Sequence, residues 1–183
     1  DITTNPLVAL YFACENDAVD GKLFRFEVQT SDIKYFDSDA VSVVSNIAKR
    51  PIDFSIEDLR ELDRNEFNSE EEIQYLLHEI KYEKPHFQNV IDSKDIERVF
   101  CVKPMFDNPR IIRQSGAFFL YGINGNKSQP ASLNFSYKVY IINKAQKRKI
   151  RKQLEALGID KSTLFPEVEH VAEHIKDKYH LPK

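Results

Sequence analysis

The segment from Glu97 to Pro104, reading ERVFCVKP, places Val99, Phe100, Cys101 and Val102 in one uninterrupted apolar run. Four apolar residues in succession leave a strand no solvent face, so this strand is expected at the centre of its sheet. The chain offers further strands to flank it. In KLFRFEVQ, Phe24, Phe26 and Val28 alternate with Arg25 and Glu27, the period-2 pattern of a half-exposed strand. GAFFLYG and NFSYKVYII read as two more, and INGNKSQPAS between them reads as a hairpin or strand connection.

Helical patterns surround these strands. Asn5-Pro6 sets up a helix start, with Asn as the cap and Pro at the first helical position. The helix that follows, PLVALYFACEN, is apolar nearly all round and is expected to be buried. DSDAVSVVSNIAKR carries Ala40, Val44, Ile47 and Ala48 at helical spacing until Pro51 ends it, and SIEDLREL predicts a short capped helix. In SEEEIQYLLHEIKYEK, Ser69 and Glu72 match a capping box, and Ile73, Leu76, Leu77 and Ile80 form one stripe. Residues 86–96 fit either a short helix or a loop, while NPRIIRQS predicts a helical turn beginning at Asn108 or Pro109. Two helices close the chain. Ile150, Leu154 and Leu157 face inward on the first, which Gly158 stops; Val168, Val171, Ala172 and Ile175 form the buried stripe of the second. The pattern predicts one α+β domain over residues 1–183, with a mixed or antiparallel sheet and flanking helices.

Composition narrows the function. The formal charge of −3 argues against polyanion binding by the whole surface, which sets a nucleic-acid partner aside. Cys14 and Cys101 sit within the apolar runs YFAC and RVFCV, and two buried thiols fit a reducing compartment better than a disulfide scaffold. No apolar stretch reaches transmembrane length and no secretory signal is visible, so a cytoplasmic protein without a membrane partner is expected.

Several short motifs have ordinary readings. His170, Glu173 and His174 match the H-x-x-E-H spacing of some zinc peptidases. That face lies opposite the apolar stripe, and nine residues downstream leave little room for a third ligand, so no metal is expected. KAQKRKIRK places six basic residues among nine and reads as the charged outer face of an amphipathic helix. The acidic stretch from Glu57 to Glu72 reads as helix-start carboxylates. Neither a G-x-S-x-G elbow nor a P-loop is present.

Two segments stand apart. In DITTNP, Asp1, Thr3, Thr4 and Asn5 bring hydroxyls and amides to the start of a helix, where such groups hold an anion or the polar edge of a ligand. Capping by Thr4 or Asn5 accounts for one of the four. In NPRIIRQSGAFFLYG, Arg110 and Gln114 stand at i and i+4 and share a face just before Gly116. An exposed turn leading into a core strand is the plainer reading.

Together with the tail, these segments resemble the FRG domain family. The family's L-L-D-[WFI]-T-x-N-P-x-x-A-x-[YF]-F-A segment is matched by Asp1-Ile2-Thr3-Thr4-Asn5-Pro6, Ala9 and Tyr11-Phe12-Ala13. Its R-[IV]-x-x-Q-x-G-x-F element is matched from Arg110 to Phe118, and its tail by Ile150, Leu154, Gly158-Ile159 and Thr163-Leu164-Phe165-Pro166. The Phe-Arg-Gly element that names the family precedes the matched segments, so the chain is expected to be the C-terminal part of such a domain. The first segment is also similar to the S-T-S strand and A-x-x-F helix of ADP-ribosyltransferases. This implies an ADP-ribosyltransferase-like split sheet and a pocket for NAD or a related nucleotide. By that resemblance Asp1, Thr3, Thr4, Asn5 and Arg110 are ligand-binding candidates, with Ala9 and Phe12 behind the hydroxyls. Gln114 is the catalytic candidate, near where such enzymes place a glutamate, and an amide cannot supply the carboxylate's charge to an oxocarbenium-like transition state. Two functions therefore stand open: transfer of ADP-ribose to a macromolecule, as a toxin or defence effector, and a non-catalytic module that binds a ligand or a protein partner.

Overall fold

The computed structural model describes residues 2–88, 90–167, 172, 175 and 176. The fold is α+β, and the chain separates into two compact units. The first comprises Asp1–Glu27, Pro104–Phe118 and Ser136–Lys183; the second comprises Val28–Lys103 and Phe119–Phe135.

The first unit opens with strand β1 (Ile2–Thr3) and helix α1 (Pro6–Ala13). Asn5 caps α1 by accepting from Leu7 N at 3.0 Å, and Pro6 takes the first helical position, where its missing N–H costs nothing. The helix is less enclosed than its apolar composition predicts. Val8 alone of its residues is buried, while Leu7 and Phe12 are exposed, and among the described residues Leu164 and Phe165 join Val8 in its buried cluster. Strand β2 (Gly21–Glu27) follows and joins a ribbon described below. At Gly21 a side chain would run into the Ala13 carbonyl of α1, so glycine permits that close approach.

The second unit contains strand β3 (Ile33–Tyr35), α2 (Asp39–Asn46), α3 (Arg64–Ser69), α4 (Glu71–Glu83), α5 (Ser93–Ile96) and strand β4 (Val99–Lys103). β4 is buried at four successive residues and pairs in parallel with β3, as its apolar run requires. Ile73, Leu76, Leu77 and Ile80 of α4 are buried, as are Val44 and Ile47 of the preceding pattern, whereas Ala48 is exposed. SIEDLREL forms only a 3-10 turn at Glu57–Leu59. The capping box also differs from the prediction. It lies at Asp63 and Glu66, starting α3; Ser69 ends that helix and donates to the Asn65 carbonyl at 2.8 Å. Ser69 is still the last residue of α3, so α4 starts one residue later from Glu70 and has no side-chain cap, while the Asp63 carboxylate caps α3 by accepting from both Asn65 N and Glu66 N.

Helix α6 (Pro109–Arg113), capped by Asn108, returns the chain to the first unit, and β5 (Gly116–Tyr121) begins there and ends in the second. The start of β5 pairs antiparallel with β1 within the first unit, whereas β3 and β4 pair in parallel within the second, so both pairing senses occur. In the second unit β6 (Ile123–Asn124) and β7 (Asn126–Pro130) make the hairpin foreseen for INGNKSQP. The first unit then adds β8 (Ser136–Ile142), α7 (Lys144–Ala156) and α8 (Lys161–Leu164). β8 and β2 form a separate antiparallel ribbon of two strands, from Gly21 opposite Ile142 to Glu27 opposite Ser136.

Two details of α7 depart from the pattern. Leu157 is exposed, while Lys147 is buried to 1% and donates to the Asn16 carbonyl at 2.7 Å. The helix ends at Ala156 with Leu157 as its cap, and Gly158 follows with a φ of 76°, which suits the left-handed turn out of the helix. Of the last predicted stripe, Ala172 and Ile175 are exposed, and Val168 and Val171 lie outside the described residues. Both cysteines are free and buried. Among the described residues no helix is long and apolar enough to cross a membrane.

Candidate functional site

The two segments singled out in the sequence meet in the first unit. β1 pairs with the start of β5, which sets Thr3 opposite Gly116 and carries the DITTNP segment alongside the end of α6. The Thr3 hydroxyl donates to the Gln114 carbonyl at 2.7 Å and accepts from Asn5 N at 3.0 Å. Thr4 donates from both its backbone N, at 3.0 Å, and its hydroxyl, at 3.3 Å, to the carbonyl of Ser115. Ser115 has φ 48°, the one positive φ outside glycine among the described residues. Such a backbone persists only where its surroundings hold it, and here the ladder to β1 does so.

The tail closes the joint. Gln114 Nε2 donates to the Leu164 carbonyl at 3.1 Å, and Arg113 donates to the Thr163 carbonyl at 3.2 Å. The Arg110 guanidinium lies over the Phe165 ring, 4.9 Å from its centroid, with the Glu167 carboxylate 3.9 Å away. Beneath, Val8, Leu164 and Phe165 form the small core of this unit, with Tyr11 and Ile159 against it and Phe12 edge-on to Phe165 at 6.0 Å. Burial, then Glu15, raises the Tyr11 phenol above its ordinary pKa, and burial does the same for the Cys14 thiol against the lowering fields of Lys147 and Arg151. Cys14 is thus a poor thiolate and unsuited to nucleophilic work.

Thr3, Thr4, Asn5, Arg110 and Gln114 are brought to one place, and Asp1 lies outside the described residues. Much of their polar capacity is spent inside the joint. Asn5 Oδ1 is used by the α1 cap and Gln114 Nε2 by Leu164; the Asn5 amide nitrogen, the Gln114 side-chain carbonyl and the half-exposed Arg110 guanidinium make no internal hydrogen bond among the described residues. Two surface depressions lie elsewhere. One of about 400 Å³ is lined by Arg64, Asn65, Asn68, Ser69, Gln74 and Val90, and one of about 520 Å³ by Asp17, Ala18, Lys144, Ala145 and Arg148. No group of three or more His, Cys, Asp or Glu side chains among the described residues could hold a metal ion, and His170, Glu173 and His174 fall outside them.

The residue that sequence reasoning passed over is Glu167, among the described residues the one carboxylate paired with Arg110. It directly follows the Thr163–Pro166 tail motif, and only the docking of that tail on α6 brings it to the joint. No protein-family model, curated protein or solved structure matches the chain.

Proposed function

We propose that the chain is a non-catalytic binding module of the FRG type, recognising NAD or a related nucleotide at the joint of β1, α6 and the tail. One observation carries the reading. Gln114 is anchored by its side-chain amide to the Leu164 carbonyl, in the place where a transferase would need a free carboxylate. A residue used as a fastener holds a surface in shape; it does not stabilise a developing positive charge. The groups left without an internal hydrogen bond among the described residues, the Arg110 guanidinium, the Asn5 amide nitrogen and the Gln114 side-chain carbonyl, suit a phosphate and the edges of a ribose or base.

Thermal-shift titration of the full-length protein with NAD, ADP-ribose and ATP tests this. Saturable stabilisation by NAD, with no release of nicotinamide, is the expected result. No shift with any of the three abandons the nucleotide and leaves a module for a protein partner.

ADP-ribosyl transfer is the second reading, and Glu167 is the observation in its favour, as a carboxylate beside Arg110. Nicotinamide release that disappears in Glu167→Gln, with NAD binding retained, would establish it over the first.

A further inference from the structure

The formal charge of −3 averages over two units of opposite sign. In the first unit basic residues outnumber acidic ones by 15 to 12, and in the second acidic residues outnumber basic ones by 17 to 11. The chain-wide balance that set a nucleic-acid partner aside therefore does not describe the first unit.

The positive charge of that unit is concentrated on α7. Lys144, Arg148 and Lys152 recur every four residues, so they form a row along the helix with a rise of about 6 Å between neighbours. Lys149 flanks the row, and all four are exposed. Two of α7's cations share Asp17, Arg148 at 3.3 Å and Arg151 at 2.6 Å. Among the described residues the other acids beside the helix include Glu15, whose backbone carbonyl accepts from Arg151, Glu155, on the outer face of α7, and Asp20, which accepts from the Lys144 backbone N at 2.7 Å. Lys144, Lys149 and Lys152 have no ion pair among the described residues.

We propose that the outer face of α7 docks on the phosphate backbone of a nucleic-acid duplex, without reading sequence. A duplex carries one negative charge per 1.7 Å, so the row from Lys144 to Lys152, about 12 Å long, lies against about seven phosphate charges. The chemistry of the face selects this partner. An anionic membrane would take an amphipathic helix by its apolar side, but that side is turned inward, with Leu154 buried to 2% and Ile150 half-buried. A protein partner would need a desolvated aromatic or aliphatic anchor among the charges. Between the cations the outer face carries Ala145, Gln146, Gln153 and Ala156 instead, which suits binding driven by counterion release.

Fluorescence anisotropy of a labelled DNA duplex of about 20 base pairs, titrated with the full-length protein, tests the proposal. With Lys144, Arg148, Lys149 and Lys152 each neutralising one phosphate, log affinity against log salt has an expected slope of about −3.6, which is a loss of about a hundred-fold between 50 and 200 mM. In the triple variant Lys144→Gln/Lys149→Gln/Lys152→Gln the slope falls to about −0.9, and affinity at 50 mM drops about ten-fold or more. Lys149→Gln alone removes about 0.9 from the slope, which keeps the test sound if the triple variant folds poorly. Lys94→Gln, in the second unit, changes nothing. Absence of binding at 50 mM, or a slope untouched by Lys149→Gln, overturns the proposal. So does equal or tighter binding to polyglutamate or to vesicles of anionic phospholipid.

Discussion

Among the described residues the second unit is organised around a cluster of seventeen buried apolar residues from α2, α3, α4, β4, β6 and the segments between α2 and β4. Among the described residues the first unit has a cluster of three, Val8, Leu164 and Phe165, and much of the rest is tied by directional contacts. Thr3, Thr4 and Gln114 tie β1 to α6 and the tail; Asp17, Asp20 and the buried Lys147 tie the loop after α1 to α7. Its ribbon leaves Phe24, Tyr137, Val139 and Ile141 exposed on one face. A core resists change through packing, whereas hydrogen bonds and ion pairs contribute little each and leave polar ends available to a ligand. That difference places the candidate site on the more weakly packed unit, in line with the lower stability expected of binding regions.

The same substitution in the two cores gives the largest contrast. Leu76→Ala, at a residue with no exposure, should cost about 4–5 kcal/mol, and Leu164→Ala, equally buried, about 2–3 kcal/mol, because the smaller cluster collapses more readily around the gap. Urea unfolding, with hydrogen exchange followed in each unit, measures both. Equal losses would mean that the two cores are equally rigid.

Lys147→Met keeps the stem and removes the donor to the Asn16 carbonyl, so a loss of about 1–2 kcal/mol is expected in the same melts. A gain in stability would show the buried cation to be a liability retained for some other purpose.

Gln114→Ala comes next, at about 1 kcal/mol, for the lost bond to Leu164. Its melting temperature should fall while the Leu76 region stays protected from exchange. An unchanged melting temperature with NAD-dependent activity lost would return Gln114 to a catalytic role.

The smallest effect concerns an exposed pair of the second unit. Hydrogen bonds from Lys49 and then Asn46 lower the Glu83 pKa from its ordinary 4.5. A lowered carboxyl contributes stability above the unfolded pKa and loses it as pH falls through the folded one. Lys49→Met should therefore lose less stability than the parent chain on acidification below about pH 4.5. Solvent screening keeps the difference small, and identical acid profiles would remove Lys49 as the cause.

Where the sequence was read correctly, the cause is local. Asn5-Pro6 and Asn108-Pro109 each place a cap and a preset φ at adjacent residues, and both start helices as predicted. The four-residue apolar run of β4 and the α4 stripe declare their burial through their own periodicity. The joint was legible only as two polar segments of unusual composition. That Thr3 would bond Gln114 across 111 residues, or that Gln114 would be fastened to Leu164 across 50, is written in no local pattern. Strand register and docking between distant segments are selected by the whole set of contacts they permit.

The same cause explains the departures. Ser69 has a cap-forming side chain, but α3 runs through it and its hydroxyl donates back to the Asn65 carbonyl, so α4 starts from Glu70 instead. Lys147 belongs to a run that reads as uniformly solvent-facing, yet the approach of α1 at Gly21 turns it inward to the Asn16 carbonyl. By itself the sequence determined where the two Asn-Pro helices begin, that β4 is buried along its length and how charge divides along the chain, because those depend on neighbours a few residues away. The tertiary structure alone decided which side chains meet at the joint, which lysine is buried and which cations remain outside, because burial and pairing are properties of segments brought together from far apart.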